Sequence, residues 1–598
     1  MGGIGKTALA LKLGELLKPQ FPDGQIYIDL KGFASSMPLT PAEAQARVIR
    51  SYQPDAIMPE DEDAVGNLYM SVLDGKRVFL LMDNARDAAQ VDPLIPPAGS
   101  VIVVTSRNSF TLPGLFAKDL DTLPPTDARD LLLKIAPRIE DRADEIAKLC
   151  GYLALALRAA ASLIAETPGL DPGEYIIRLY DERARLKQLK TENIDVEASI
   201  GLSYDLLKPD TALVLRELAV FPTSFDAPAE QKVCQDEDHK HLDELVRKSL
   251  VQYNPETSRY VLHDLVRVFV AARLIEDERA AAEPRHAAHY ETVLRAARAS
   301  YKQGGEGVLS GLKLFDREWP NIQAGQAWAA RHFGDQKEAA KLCNTYPDAG
   351  IFVLDLRLHP RDRIEWRQVA LAATRRLGDK PAQGTHLGNL GIAYRLLGEY
   401  PRAIEYHEQQ LAIARETDDR RGEGNAMGNL GFAYNFLGEY RRAIEYHEQQ
   451  LVIAREVGDR REEGNGLGGV GNAYYRLGEY RRAIEFYEQW LAIALDIGDR
   501  LGEANALGGI GNAYYPLGEY RRAIEYDAQW LAITREIGDR QAEGRALWNL
   551  SLALEQTGNR AEAIKNAEAS LKIREKIEDP GTDTVRKQLA EWKATPRK

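Results

Sequence analysis

Short apolar runs at 25–30, 77–82 and 101–105 alternate with stretches of helical spacing over the first 120 residues. Such runs, set between turn residues, read as strands. Their alternation with helices predicts a parallel sheet with crossover helices. Residues 125–275 carry helical spacing, with one hairpin expected at 250–261 around Asn254-Pro255. Residues 276–344 read as helical but without a period, as a connector would.

From about residue 383 the pattern copies itself every 40 residues. LGNLGIAYRLLGEYPRAIEY is followed by MGNLGFAYNFLGEYRRAIEY, LGGVGNAYYRLGEYRRAIEF and LGGIGNAYYPLGEYRRAIEY, then by the weaker LWNLSLALEQTGNRAEAIKN. Each unit reads as two helices. The first carries Leu390, Gly391 and Tyr394 on one face and ends at Gly398. The second carries Ala403, Ile404 and Leu411 and breaks at Asp418-Asp419. Gly391 lies inside a helix, where glycine is a poor former, so close approach of the paired helix is the expected reason for it. A half-copy, Ile364-Glu365-Trp366 with Leu371, is in phase with these units and puts the start of the array near residue 345. A last helical stretch at 585–592 reads as a cap on the exposed end. The Leu-Gly-x-x-Tyr, Gly, Ala pattern resembles the tetratricopeptide repeat family in a 40-residue form. That resemblance implies an all-α superhelix with a concave groove for a peptide or partner protein.

Composition narrows the class. The chain has 598 residues, enough for several domains, and a formal net charge of -13, which disfavours a general nucleic-acid binder. Cys150, Cys234 and Cys343 are far apart and odd in number, so buried free thiols are expected rather than disulfides or a metal pair. No apolar run is long enough to span a bilayer, and 153–165 carries Arg158. The N-terminus does not read as a secretion signal, and a cytoplasmic location is expected.

The chain opens Met1-Gly2-Gly3-Ile4-Gly5-Lys6-Thr7 and runs into a helix. Gly3, Gly5, Lys6 and Thr7 fit the second half of the Walker A pattern Gly-x-x-x-x-Gly-Lys-Ser/Thr. Its glycines let backbone N–H groups wrap phosphate at a helix N-terminus. Lys6 would neutralise β/γ oxygens and Thr7 would reach Mg²⁺. The first glycine and the strand that should precede the loop fall before Met1, so the numbering is expected to begin inside the motif. The apolar run Val78-Phe79-Leu80-Leu81-Met82-Asp83 has the Walker B form, with Asp83 as the catalytic and metal-holding acid beside Thr7. The run 101–105 delivers Arg107 to the sheet edge, where it would sense a terminal phosphate. Taken singly, each piece is commonplace; together their order and placement at strand ends form a nucleotide site.

The set resembles the NB-ARC domain of the STAND class of P-loop ATPases, bacterial type, over residues 1 to about 275. Cys150-Gly151-Tyr152-Leu153 begins a stretch similar to the family's GLPL motif, and Leu262-His263-Asp264 is similar to its MHD motif. The resemblance implies an α/β P-loop domain at 1–122, a helical subdomain at 123–190 and a winged-helix subdomain at 191–275. The connector at 276–344 and the array at 345–598 complete the division. It also implies ADP/ATP and Mg²⁺ as cofactors, Gly151 and Leu153 beside the nucleotide, and His263 on the ADP phosphate. Without the resemblance, His263 reads more simply as a helix-start residue on an apolar face. Ala154 replaces the proline of GLPL, and Asn84 stands where many relatives have a second acid. An amide cannot take a proton as a carboxylate does, so at most slow hydrolysis is expected.

In the array Asn425, Asn465 and Asn505 recur at one position, Asn389 and Asn429 at another, and Asn472 and Asn512 at a third. Carboxamides both donate and accept, which suits an extended peptide, and Tyr475 and Tyr515 would add flat contacts. Duplication alone explains the recurrence equally well. Three functions remain open on this reading. The first is an ADP/ATP-dependent switch gated by the array, with self-association in the ATP state. The second is a scaffold with a vestigial nucleotide domain. The third is a fragment of a transcription regulator whose DNA-binding domain lies upstream.

Overall fold

The computed structural model describes residues 4–32, 38–59, 61–108, 110–188, 194–577, 579 and 581–594. The chain forms two compact units, Met1–Trp366 and Arg367–Lys598.

Unit 1 opens with α1 (Lys6–Leu17), followed by β1 (Gly24–Asp29), β2 (Val78–Ala85) and β3 (Val101–Ser106). The strands pair in parallel in the order β1-β2-β3. As the central strand, β2 is covered on both faces, which is why it reads as an unbroken apolar run. Alternate residues serve opposite faces. Leu80 and Met82 join Ile28, Val48 and Tyr69 in one core, while Phe79 and Leu81 meet Ala10 of α1 on the other side. The expected alternation of strands and helices is therefore present.

The middle of unit 1 is helical. Its expected hairpin is β4 (Gln252–Asn254) with β5 (Arg259–Val261), antiparallel. His263 follows at once, as the N-cap of helix Asp264–Ala271. The helices Glu276–Tyr301 and Glu306–His332 then pack side by side. Arg259 of β5 forms a buried ion pair with Glu318 of the second of these, at 2.5 Å. The helix Lys337–Ala349 packs on both long helices, and Ile351–Arg357 follows it. Periodicity starts the array near 345; packing groups residues up to 366 with unit 1.

Unit 2 is a stack of paired helices, from Lys380–Leu396 with Tyr400–Glu416 to Arg540–Gln556 with Arg560–Lys576. Asp379, Asp419, Asp459, Asp499 and Asp539 each cap a first helix by accepting a backbone N–H. The turn glycines 398, 438, 478, 518 and 558 all have positive φ, between 74° and 89°. The cap helix Thr582–Ala594 closes the end by stacking Trp592 on Trp548.

The helix-interior glycines mark close crossings. A Cβ on Gly391 would lie 2.3 Å from the His407 ring, one on Gly431 2.6 Å from His447, and one on Gly471 2.7 Å from Tyr487. Those rings are buried and cannot swing into solvent. Gly431→Leu or Gly471→Leu is therefore expected to lower stability by about 1–3 kcal/mol through overpacking. Thermal melting followed by circular dichroism checks it; an unchanged melting temperature would show that the crossing relaxes.

Candidate functional site

Gly3 lies outside the described residues. Gly5 caps α1 with φ 105°, a conformation open to glycine and strained for other residues. Lys6 and Thr7 form the first turn of α1. Asp83 sits near the C-terminal end of β2 and is 7% exposed. Three hydroxyls from three elements converge on it. Thr7 donates to Oδ1 at 2.8 Å, Thr105 of β3 donates to the same oxygen, and Tyr27 of β1 donates to Oδ2 at 3.1 Å. Burial raises the pKa of the Tyr27 phenol, and the Asp83 and Asp29 charges raise it further, so it remains a donor. The Asn84 backbone N–H donates to Thr105 Oγ1 at 3.0 Å, which holds that hydroxyl in place. Asn84 itself has φ 61°, a strained value for a side-chain-bearing residue, and its carbonyl accepts the Gly32 N–H at 2.8 Å.

Two cations share this corner. Burial lowers the Lys6 pKa, the Arg107 charge lowers it further, and Asp83 opposes both. Arg107 also reaches Asp264 at 3.1 Å, a contact across 157 residues that ties the sheet edge to the turn carrying His263. The His263 Nδ1 accepts the Leu265 N–H at 3.2 Å. Burial depresses the imidazole pKa; Asp264 raises it, while Arg107 and Arg267 lower it. The ring is therefore neutral near pH 7.

Gly151 and Leu153 lie in the helical layer. Gly151 has φ 59°, and Leu153 is the N-cap of helix Ala154–Glu166. The Tyr152 carbonyl between them accepts the Leu123 N–H at 3.0 Å. The Gly151 and Tyr152 N–H groups donate back to Lys148 and Ala147 of the preceding helix, at 3.1 Å each.

The residues present fit a nucleotide carrying Mg²⁺. Thr7 donates its hydroxyl hydrogen to Asp83, which leaves its lone pairs available to a hard cation. Among the described residues no three His, Cys, Asp or Glu side chains are grouped to hold a metal. One hydroxyl and one carboxylate suit Mg²⁺, which keeps waters and takes its remaining ligands from a substrate phosphate. The Arg107 charge lowers the Lys6 pKa from across the same corner, and a polyphosphate would favour both cations. Tyr27, Thr105 and Asp264 were not singled out as site residues by the sequence. The placement of Thr105 and Asp264 next to recognised motifs was the available signal; Tyr27 had none.

In unit 2, a cavity of about 690 Å³ is lined by Asn389, Asn425, Asn429 and Asn465, with Gln410, Gln450 and Phe432. Four of the seven candidate asparagines thus share one groove. Asn472 and Asn512 are engaged within the array: Tyr487 donates to Asn472 Oδ1 and Asn549 donates to Asn512 Oδ1, each at 2.7 Å. Tyr475 and Tyr515 pack edge-on against Tyr480 and Tyr520. Asn505 is exposed and lies outside the residues lining this cavity. The groove glutamines were missed, although Gln410 and Gln450 recur at the same 40-residue step.

Family comparisons bear on both units. A family described as tetratricopeptide repeat matches residues 422–496 and 502–576, and another of the same description matches 387–421. Unit 2 is a tetratricopeptide-repeat array. The fold extends further. The STAND protein PH0952 of Pyrococcus horikoshii, which has a tetratricopeptide repeat sensor, superposes on 99% of this chain and 88% of its own. The TM-score is 0.53 at 18% identity, so the likeness is one of fold. Regulatory protein AfsR of Streptomyces coelicolor is 36% identical over 297 residues, 47% of this chain and 29% of that protein. Its namesake in Streptomyces griseus is 35% identical over 290 residues, covering 46% and 30%. The matched stretch thus spans less than a third of either relative. No helix among the described residues is long and apolar enough to cross a membrane.

Proposed function

We propose that this chain is an ADP/ATP-dependent signalling switch whose tetratricopeptide array binds a protein or peptide partner. The observation that carries the reading is the Arg107–Asp264 ion pair. It joins a phosphate-sensing position on the sheet to the turn that bears His263. A terminal phosphate and Asp264 would compete for the same guanidinium. Nucleotide state is thereby coupled to the position of the winged-helix segment, and the reciprocal coupling follows by linkage. Likeness to regulatory proteins supports a signalling role over a metabolic ATPase. The convergence of Thr7, Thr105 and Tyr27 on Asp83 keeps the carboxylate placed beside Thr7, as a nucleotide site requires. Asn84 beside Asp83 fits slow turnover, as a switch requires. The four-asparagine groove would hold the partner through main-chain hydrogen bonds.

The test is the ADP off-rate and particle mass of the wild type, His263→Ala and Asp264→Ala. A charge-assisted bond of this kind contributes about 1.5–3 kcal/mol, or roughly ten- to a hundredfold in an equilibrium. His263→Ala is expected to release ADP faster by about that factor, Asp264→Ala by less because the Arg107–Asp264 pair is partly exposed, and both to self-associate without a partner. Off-rates and masses equal to wild type in both variants would reject the switch and favour a scaffold.

A further inference from the structure

We propose that Tyr27 is a positioning residue for Asp83. Its phenol fixes Oδ2 of the carboxylate so that Oδ1 faces Thr7, and this sets how well the pair accepts a divalent cation. The inference rests on the nucleotide reading above and assigns one residue's part in it.

The strand register places Tyr27 for this role. β1 and β2 run in parallel with Asp29 opposite Asp83 and Tyr27 opposite Leu81. Tyr27 and Asp29 are two residues apart and so share a face of the sheet. From there the Tyr27 hydroxyl reaches forward along the sheet to the Asp83 carboxylate. A shorter side chain at position 27 would fall short of it.

The carboxylate needs such a tether. The terminal torsion of aspartate is broad and nearly two-fold, so its oxygens exchange easily unless both are engaged. Thr7 and Thr105 both donate to Oδ1. Thr105 is itself fixed by the Asn84 N–H, whereas Thr7 lies in the first turn of α1, where a phosphate would seat. The Tyr27 bond to Oδ2 comes from β1 and from a different direction, so it does not depend on the first turn of α1. Tyr27 is half-exposed as a residue, with its hydroxyl end buried against Asp83, so it supports little of the core. Removing the hydroxyl leaves the ring in place and opens no cavity.

The experiment titrates MgCl₂ into wild-type chain and Tyr27→Phe at fixed ADP, by calorimetry. Mn²⁺ bound in the presence of ADP is counted in parallel by electron paramagnetic resonance. Loss of a partner that orients a metal ligand typically weakens metal affinity about 10- to 100-fold. Tyr27→Phe is expected to raise the half-saturating Mg²⁺ concentration by about tenfold. Metal-free ADP affinity should match wild type, and the ligand-free melting temperature should fall by no more than the loss of one hydrogen bond to a carboxylate costs. An unchanged Mg²⁺ titration in the variant, with a Mg²⁺-responsive wild type, overturns the role given to Tyr27 alone. A fall in metal-free ADP affinity overturns it too, because the phenol would then act through the fold. A wild type whose ADP binding ignores Mg²⁺ removes the nucleotide reading itself, and the inference falls with it.

Discussion

Glu318→Ala is expected to destabilise unit 1 by about 3–5 kcal/mol, because it leaves the Arg259 guanidinium buried without its counter-charge. The two side chains are 7% and 4% exposed. Arg259 Nη1 and Nη2 donate to Glu318 Oε1 and Oε2 at 2.5 and 3.0 Å. Its remaining donors reach Ser224, at 2.9 Å to the hydroxyl and 2.6 Å to the carbonyl. Asn321 also donates to both Ser224 and Glu318. The charged groups of the network are paired as they stand, Arg317 also donating to Glu318 Oε1 at 3.0 Å, and removing Glu318 strands the rest. Replacing both partners at once, as Arg259→Met with Glu318→Leu, should recover most of the loss, since an apolar pair has no charge to desolvate. Urea unfolding of the full chain measures both. A loss below about 1 kcal/mol for the single variant would mean that water reaches the pair, as at exposed ion pairs. The network also clamps β5, two residues before His263, to a long connector helix. Glu318→Ala should accordingly speed ADP release as well.

The stability of the repeat array is expected to peak near pH 6.5 and to fall on the alkaline side because of one residue, Asp527. The side chains that face the crossing glycines are His407, His447, Tyr487 and Asp527, all buried. Burial lowers the pKa of His407 and His447 to about 4. Their folded pKa values lie below the unfolded value, so between about 4 and 6.5 the unfolded chain binds more protons and stability rises with pH. Burial moves Asp527 the other way, to about 8. The Asp527 Oδ1 has no hydrogen-bond partner and lies against Gly511, where a Cβ would be 2.4 Å away. Its folded pKa is above the unfolded value. Its contribution is therefore complete below about pH 4 and is lost as pH rises to 8. Each such proton is worth about 1.4 kcal/mol per pH unit. Below 6.5 the two histidines outweigh the aspartate; above it the aspartate acts alone. A drop of about 2 kcal/mol from pH 6.5 to 8 follows. In Asp527→Asn that drop should vanish. Urea unfolding of residues 367–598 at several pH values decides it; equal alkaline slopes for wild type and variant would show that the carboxyl is solvated.

The sequence by itself determined the elements and the periodic contacts. β2 was legible because a strand buried on both faces must be apolar throughout. The repeat was legible because each unit contacts the next at a fixed 40-residue step, so one register describes them all. Even the reason for Gly391 and Gly431 could be read, since glycine weakens a helix and is tolerated inside one where a neighbour leaves no room for a Cβ. Asp83 and Thr7 were marked by their motifs, and the fold brings them within 2.8 Å of each other. Only the tertiary structure decided which polar groups meet across long separations. Arg107 finds Asp264 across 157 residues, Tyr27 finds Asp83 across 56, and Arg259 finds Glu318 across 59. The asparagines recur alike in sequence, yet Asn389, Asn425, Asn429 and Asn465 line a groove while Asn472 and Asn512 bond inside the array. The difference arises at neighbouring positions. Asn472 and Asn512 stand at a repeat position of their own, filled by Phe432 in the preceding unit, and there Tyr487 and Asn549 are their partners. Hydrophobic spacing records which face of an element is buried. A hydrogen bond within about 3 Å depends on strand register and on the volume of the residues opposite, and neither is written in the local pattern.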